Sequence, residues 1–188
     1  PIADAEIIAV LTEALQALGF SGFTTQLNHR QVLAGIARAS GLDEAAASSV
    51  YRAIDKLDKI GPDGVHEELL KSGVAAEAAG RILAMVQMHG APMDVLEELS
   101  EQLAGDERAQ AALENLRTIL GFLPELGVPA NTYTVAPQLA RGLSYYTGVV
   151  FESVLESPPM GSLLGGGRYD ELVGAFAGRP IPTVGLAF

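Results

Sequence analysis

The sequence predicts an α+β fold in which helices flank an antiparallel sheet and an all-helical segment interrupts it. Three observations support this. Helical periodicity dominates residues 43–126. Four apolar strand candidates crowd together after that segment, and another strand candidate lies between two helices near the start. Because the connections between the later strands are short, we expect antiparallel pairing.

The first elements form a helix–strand–helix unit. Apolar residues at intervals of three and four predict a helix over residues 4–18, which Gly19 ends. Alternation predicts a strand over 23–27, and a second helix follows over 30–39. We expect this unit to pack against the sheet formed by the later strands.

The middle of the chain is predicted to be helical throughout. Asp43 is a candidate N-cap for a helix over 44–60, and Pro62 can start the next helix after a turn at 61–64. Further helices are predicted over 65–71, 75–89, 93–103 and 106–126. We therefore predict three parts: core residues 1–44, a helical insertion subdomain at 45–104, and core residues 105–188.

The later part of the chain supplies the remaining strands. They are predicted over 132–135, 149–155, 162–164 and 182–188, with a short helix over 170–176. Residues 149–155 are β-branched and apolar, which is typical of a buried strand. The three glycines at 165–167 are predicted to form a loop after the third of these strands.

Composition narrows the functional classes. The 188 residues carry a net charge of −11, which argues against a general nucleic-acid-binding surface. There are no cysteines, so disulfides, zinc–thiolate sites and thiol nucleophiles are excluded. The sequence contains neither a membrane-length apolar run nor a signal sequence, so we expect a cytoplasmic protein without a membrane partner.

Two segments carry the residues best suited to chemistry. Residues 139–152 contain Arg141, whose planar donors suit a carboxylate or phosphate, and the adjacent tyrosines Tyr145 and Tyr146. On a strand those tyrosines point to opposite faces, so one can line a pocket while the other packs. Residues 165–172 place Arg168, Tyr169 and Asp170 directly after the three glycines, where they could recognise a small polar ligand.

Each feature alone also has an ordinary structural explanation. Arg141 with Gly142 can be a turn with a solvated arginine, and paired tyrosines often pack on a strand. A glycine run can be a flexible loop, and residues 165–167 lack the Gly-Lys-Ser/Thr of a phosphate-binding loop. The order of the features is what makes the set specific.

In that order, the two segments resemble the histidine-specific signatures of the histidyl-tRNA synthetase family, which belongs to class II. The resemblance extends over nearly the whole chain, including residues 3–8, 18–20 and 27–30. It implies the antiparallel sheet of the class II core, activation of histidine with ATP, accompanied by Mg²⁺, and transfer to tRNA(His). It also implies a homodimer formed through parts outside this chain.

The resemblance assigns roles to particular residues. Arg141 would contact the α-phosphate and the carboxylate, as the catalytic and nucleotide-binding residue. The histidine site would comprise three tyrosines and three glycines: Tyr145, Tyr146, Tyr169, Gly165, Gly166 and Gly167.

The chain departs from the family pattern at two positions. Ser144 stands where the family usually has aspartate, and Ala136 stands where many members also have aspartate. The chain also starts after the second class II motif and stops before the arginine of the third, so we expect an enzyme fragment that is inactive alone. A non-catalytic histidine sensor, such as the regulatory subunit of ATP phosphoribosyltransferase, is the alternative. A helical interaction module is a third possibility but leaves the ordered signatures unexplained.

Other polar residues have weaker signals. The candidate tRNA contacts lie on predicted helices, where solvated helix faces are the alternative: Arg52, Lys56, Lys59 and Lys71. His29 lies at a strand–helix junction, where we expect capping or packing. The three histidines do not have the spacing of a metal site.

Overall fold

The computed structural model describes residues 1–140, 145–155 and 161–187, without the side chains of residues 44–46. The elements, in chain order, are α1 (Ile2–Ala17), β1 (Phe23–His29), α2 (Arg30–Ala39), α3 (Glu44–Ile54), α4 (Leu57–Lys71), α5 (Ala76–Val86), α6 (Pro92–Gln102), α7 (Glu107–Glu125), β2 (Tyr133–Val135), β3 (Val149–Leu155), β4 (Gly161–Arg168), α8 (Asp170–Ala177) and β5 (Val184–Ala187). A short 3₁₀ helix at Ala130–Thr132 precedes β2. The predicted α+β fold is confirmed.

The five strands form one sheet in the order β2-β1-β3-β4-β5. The pairs β1–β3, β3–β4 and β4–β5 are antiparallel, as predicted. The expectation of antiparallel pairing is wrong for β2, which runs parallel to β1 with Thr25 opposite Tyr133. The reason is that the whole helical segment separates these two strands, which leaves enough chain for a crossover connection.

The two faces of the sheet have different surroundings, and β3 shows this most clearly. Val149, Phe151 and Leu155 belong to the main apolar core, which they share with residues of α1, α2 and α7. Val150 instead joins a small second cluster. Because successive strand side chains point to opposite faces, one face of β3 packs on the helices and the other supports that cluster.

Helices α1, α2 and α7 hold the sheet. α1 packs against α7 and β5, and α7 contacts α2 and β1. At the α2–α7 crossing, a Cβ atom on Gly35 would lie 2.6 Å from the Cβ of Ala109, so only glycine permits this approach. Asp106 caps α7 by accepting a hydrogen bond from the Ala109 amide at 3.0 Å. Its other oxygen pairs with Arg38 Nε at 2.6 Å.

The helical segment contains one correction. The helix predicted over 44–60 is two helices, because α3 ends at Ile54 and α4 begins at Leu57. The two helices pack against each other, so the chain turns between them, and packing overrides local periodicity. The predicted break near Gly61 is confirmed as a kink, where Gly61 has φ 69° and ψ 175°.

The glycine segment is the other correction. The loop predicted at 165–167 is wrong, since these residues lie within β4 and pair with both β3 and β5. Two neighbouring strands thus extend β4 well beyond the predicted 162–164. None of the described helices is both long and apolar enough to span a bilayer.

Candidate functional site

Three tyrosines meet at the sheet edge, which here means the end of the sheet where β3 begins and β4 ends. Tyr145 and Tyr146 precede β3 and Tyr169 follows β4, and antiparallel pairing brings the start of β3 beside the end of β4. The ring centroids of Tyr145 and Tyr146 are 4.7 Å apart. Tyr169 lies edge-on to both, at 5.9 Å from Tyr145 and 6.3 Å from Tyr146. These separations are those of mutually packed aromatic rings.

The tyrosines differ in exposure. Tyr146 is 6% exposed and packs in the second apolar cluster with Ala136, Leu139 and Val150. Tyr145 is 37% exposed and lies at the surface of the group. The expectation that these tyrosines lie on a strand and point to opposite faces is wrong, because both precede β3 and their rings pack together. The buried one is Tyr146, and a pocket-lining role for Tyr145 stays a prediction.

The glycines of β4 allow close packing on both faces of the sheet. Gly166 lies on the core face, where a Cβ atom would be 2.6 Å from the Phe151 ring. Gly167 lies on the tyrosine face, where a Cβ would be 2.8 Å from the Tyr146 ring. Gly165 is paired with Glu152 of β3. The glycines therefore create room for aromatic rings on both sides of a regular strand.

Arg168 is held by two carboxylates. Its Nη2 lies 2.7 Å from Asp4 Oδ1 of α1, and its Nε donates to the same oxygen at 2.9 Å. Its Nη1 donates to Asp170 Oδ1 at 3.0 Å. Burial opposes the charge, but the two carboxylates outweigh it and raise the pKa of Arg168. The guanidinium is thus engaged within the protein, whereas the sequence suggested that it could recognise a ligand.

Backbone contacts fix Tyr169 within this network. The Tyr169 amide donates to Thr183 O at 2.8 Å. The Thr183 amide donates to Asp170 Oδ1 at 2.8 Å, and the Asp170 amide donates to Thr147 Oγ1 at 3.1 Å. The main chain on both sides of the Tyr169 ring is therefore tied to the segments before β3 and β5.

His29 lies beneath the same network and is uncharged at neutral pH. Burial, partly offset by Asp4 and reinforced by Arg168, lowers the pKa of His29 to about 4. Its Nδ1 accepts a hydrogen bond from the Gln31 amide at 3.1 Å and so caps α2. The expected capping role is confirmed.

Asn28 positions the chain that leads to Arg141. Its buried Nδ2 donates to Pro137 O at 3.0 Å and to Leu139 O at 3.1 Å. Arg141 and Ser144 lie outside the described residues. Ala136, one of the two departures from the family pattern named above, is buried among apolar side chains.

Sequence reasoning missed Asp4, Asn28 and Thr147 as supports of the site. A signal for Asp4 was present, because it lies on the same helix face as Ile8 and Leu11, and an acid on an apolar face requires a partner. No comparable signal marks Thr147, whose partners are formed by tertiary packing.

Among the proposed tRNA contacts, Lys56 pairs with Glu68 at 2.7 Å and Lys71 with Glu67 at 3.4 Å. Both pairs are exposed. Within the described ranges, no group of three or more His, Cys, Asp or Glu side chains is placed to hold a metal ion.

Solved structures that resemble this chain identify its class of protein. The fold is that of an aminoacyl-tRNA synthetase: the crystal structure of histidyl-tRNA synthetase from Nostoc sp. PCC 7120 matches with a TM-score of 0.92 and 36% identity, over 98% of this chain and 44% of that one. A Bacillus halodurans protein described as an ATP phosphoribosyltransferase regulatory subunit/histidyl-tRNA synthetase matches with a TM-score of 0.82 and 27% identity, over 98% and 46%.

The sequence comparisons then identify the family. The family model described as histidyl-tRNA synthetase matches residues 1–188, and the chain belongs to this family. The histidine–tRNA ligase of Aeropyrum pernix is 41% identical over 188 residues, which cover 100% of this chain and 42% of the relative. That of Gloeobacter violaceus is 38% identical and is covered to 40% of its length. The chain therefore spans about two-fifths of these relatives.

Proposed function

We propose that this chain is the histidine-recognising part of the catalytic domain of a histidine–tRNA ligase. The enzyme activates histidine with ATP to an adenylate and transfers it to tRNA(His). The observation that carries the proposal is the group of three tyrosines at the sheet edge, supported by glycines that make room for it, in a chain of the histidyl-tRNA synthetase family.

The proposed roles follow from the chemistry of the side chains. Tyr145, Tyr146 and Tyr169 form the histidine site together with the β4 glycines. A phenol oxygen can donate and accept, which suits an imidazole whose two nitrogens differ. Arg141 provides the positive charge that stabilises the reacting phosphate and carboxylate. In support of this arrangement, Asn28 holds the residues before Arg141, and the Arg168–Asp4 pair holds the segment of Tyr169.

The other substrates and partners belong to the proposal for the whole protein. ATP would contact Arg141 of this chain. The other residues that bind ATP would belong to parts of the protein that this chain does not include. Mg²⁺ would accompany ATP, but the described residues offer no cluster that fits it, so we derive no step through the ion. We also propose that residues 45–104 are the helical insertion, that tRNA(His) is the acceptor, and that the protein is a homodimer.

Histidine-dependent ATP–pyrophosphate exchange by the intact protein tests the ligase. We expect exchange in the wild type and a loss of at least about 100-fold in Arg141→Ala, since removing one preorganised charge from a transition state has effects of this size. Histidine binding should weaken far less than exchange in that variant. Arg52→Ala, which removes an exposed arginine of α3, is the matched control. Unchanged exchange in Arg141→Ala would refute the role of this arginine.

A second candidate is a non-catalytic histidine sensor. Two observations favour it: the likeness to the Bacillus halodurans protein, and Ala136, a departure from the family pattern that is buried among apolar side chains. Such a protein would bind histidine but show no exchange. The ligase and the sensor therefore differ in one assay, provided that histidine binding is measured on the same preparation.

A further inference from the structure

A cleft of about 480 Å³ opens between α2, α3 and the first turn of α7. Arg30 and Arg38 line it from α2, Tyr51 from α3, and Arg108 from α7. None of its lining residues belongs to the tyrosine group or to the Arg168 network. The proposed ligase chemistry therefore leaves this cleft without a role.

The cleft is a consequence of small residues at a helix contact. Ala34 and Ala37 of α2 and Ala47 of α3 line it, where longer side chains would fill the space between the helices. Ala37 and Ala47 are buried, so they form part of the floor.

The charge of the cleft is opposite to that of the chain. Three of the 12 basic residues line it, in a sequence with net charge −11, and the lining contains one acid, Asp43. Arg38 pairs with Asp106. Within the part of the chain that the structure describes, Arg30 and Arg108 form no ion pair. Two guanidinium groups are thus available to an anion.

The orientation of Arg30 adds a second preference. Its guanidinium carbon lies 5.0 Å from the centroid of the Tyr51 ring, which is a cation–π contact. Stacking leaves the N–H groups at the edge of the guanidinium able to donate, and these groups match phosphate oxygens. The cleft therefore combines phosphate donors with the stacked Arg30–Tyr51 pair, beside which a planar ring can pack. Its volume is within the roughly 300–1,000 Å³ of small-molecule sites.

We propose that this cleft binds a nucleotide, with the phosphate held by the arginines and the base packed near Tyr51. The nucleotide can be a free mononucleotide or one unit of an RNA strand, since both present the same phosphate and ring. This site is separate from the tyrosine group and does not depend on histidine activation.

Modification of arginines by phenylglyoxal, read by peptide mass spectrometry on the intact protein, locates binding at single residues. The probes are AMP, inorganic phosphate and a short RNA hairpin. We expect AMP or the hairpin to slow the modification of Arg30 and Arg108 severalfold. Arg179, which is exposed between α8 and β5 and does not line the cleft, is the internal control and should react unchanged.

The pattern of protection also identifies the source of the nucleotide. Protection by AMP supports a free mononucleotide, and protection by the hairpin alone supports a unit of RNA. The absence of protection by both would overturn the proposal. Equal protection by inorganic phosphate and AMP would also overturn it, because the ring would then contribute nothing.

A variant provides an independent measurement. Arg108 is exposed, so Arg108→Gln should fold normally. The affinity of this variant for the ligand that protects the cleft should be about tenfold lower, as expected for the loss of one charged hydrogen-bond donor. Arg179→Gln should bind as the wild type does. Since exchange activity should be unchanged in Arg108→Gln, failure of this proposal is distinguishable from failure of the proposed ligase function.

Discussion

The sheet edge with its tyrosines and the helical segment from α3 to α6 are built by different means. At the sheet edge, single residues decide close contacts: Asp4 pairs with Arg168, and Gly167 leaves room for the Tyr146 ring. In the helical segment, alanine and branched aliphatic side chains make up most of the core, and several charged residues form exposed pairs. The identity of each residue therefore matters far more at the sheet edge.

The ion pairs of the two regions illustrate the difference. The side chains of Arg168 and Asp4 are 20% and 1% exposed, whereas those of Lys71 and Glu67 are both 69% exposed. An exposed pair contributes little because water screens it. Breaking a buried pair leaves a charge without a partner and destabilises the protein strongly. The same interaction is thus structural in one region and dispensable in the other.

The largest expected effect is that of Asp4→Asn, which removes the buried partner of Arg168. We expect the free energy of unfolding to fall by about 3 kcal/mol, since the guanidinium then loses its buried carboxylate and keeps only the more exposed Asp170 as a charged partner. Urea denaturation measures this change. The control is Glu67→Gln, which breaks an exposed pair and should give no measurable change. Similar effects of the two variants would remove the contrast between the regions.

A glycine pair provides the next test. Gly166→Ala would place a Cβ against the Phe151 ring and the backbone of β5, so it should destabilise the protein by about 2 kcal/mol. Gly80→Ala, in the exposed face of α5, meets open space and should stabilise the protein by about 0.5–1 kcal/mol. Thermal or urea unfolding of both variants shows whether each substitution raises or lowers the free energy of unfolding. A stabilising Gly166→Ala would contradict the packing described here.

The pH dependence of stability tests the buried histidine. The pKa of His29 is about 4 in the folded chain and near 6.5 when unfolded, so the unfolded state binds the proton first as pH falls. The contribution of His29 to stability is therefore complete only well above about pH 6.5, and stability should drop by about 1.3 kcal/mol between about pH 7.5 and about pH 5.5. His29→Asn keeps a capping side chain and should abolish that part of the dependence.

The control for this measurement is Gln102→Ala, which changes an exposed side chain without an ionisable group and should leave the pH dependence unchanged. A His29→Asn variant that loses as much stability in acid as the wild type would show that other groups dominate.

The sequence predicted most elements because their signals are local. Asp106 caps α7 and His29 caps α2, as side chains next to the helix start can. The errors arose where distant contacts decide the outcome. β4 continues through three glycines because β3 and β5 pair with it, and β2 runs parallel because the helical segment returns it to β1. Local propensity carries no information about either partner.

The candidate site was predictable in part for the same reason. The tyrosines and glycines stand close together in the sequence, so their pattern and order could be read directly. Their supports could not be identified in this way. Asp4 and Arg168 are 164 residues apart, and Asn28 and Leu139 are 111 apart. Only the folded chain brings those residues together.

The central claim is that the tyrosine group recognises histidine, and calorimetric titration of histidine into the intact protein tests it most directly. We expect the wild type to bind and Tyr169→Phe to bind about tenfold more weakly, as the loss of one hydrogen bond to the ligand predicts. Tyr133→Phe, on the outermost strand β2, is the matched control and should bind as the wild type does. Equal affinity for histidine in the wild type and Tyr169→Phe, or no binding by the wild type, would contradict the claim.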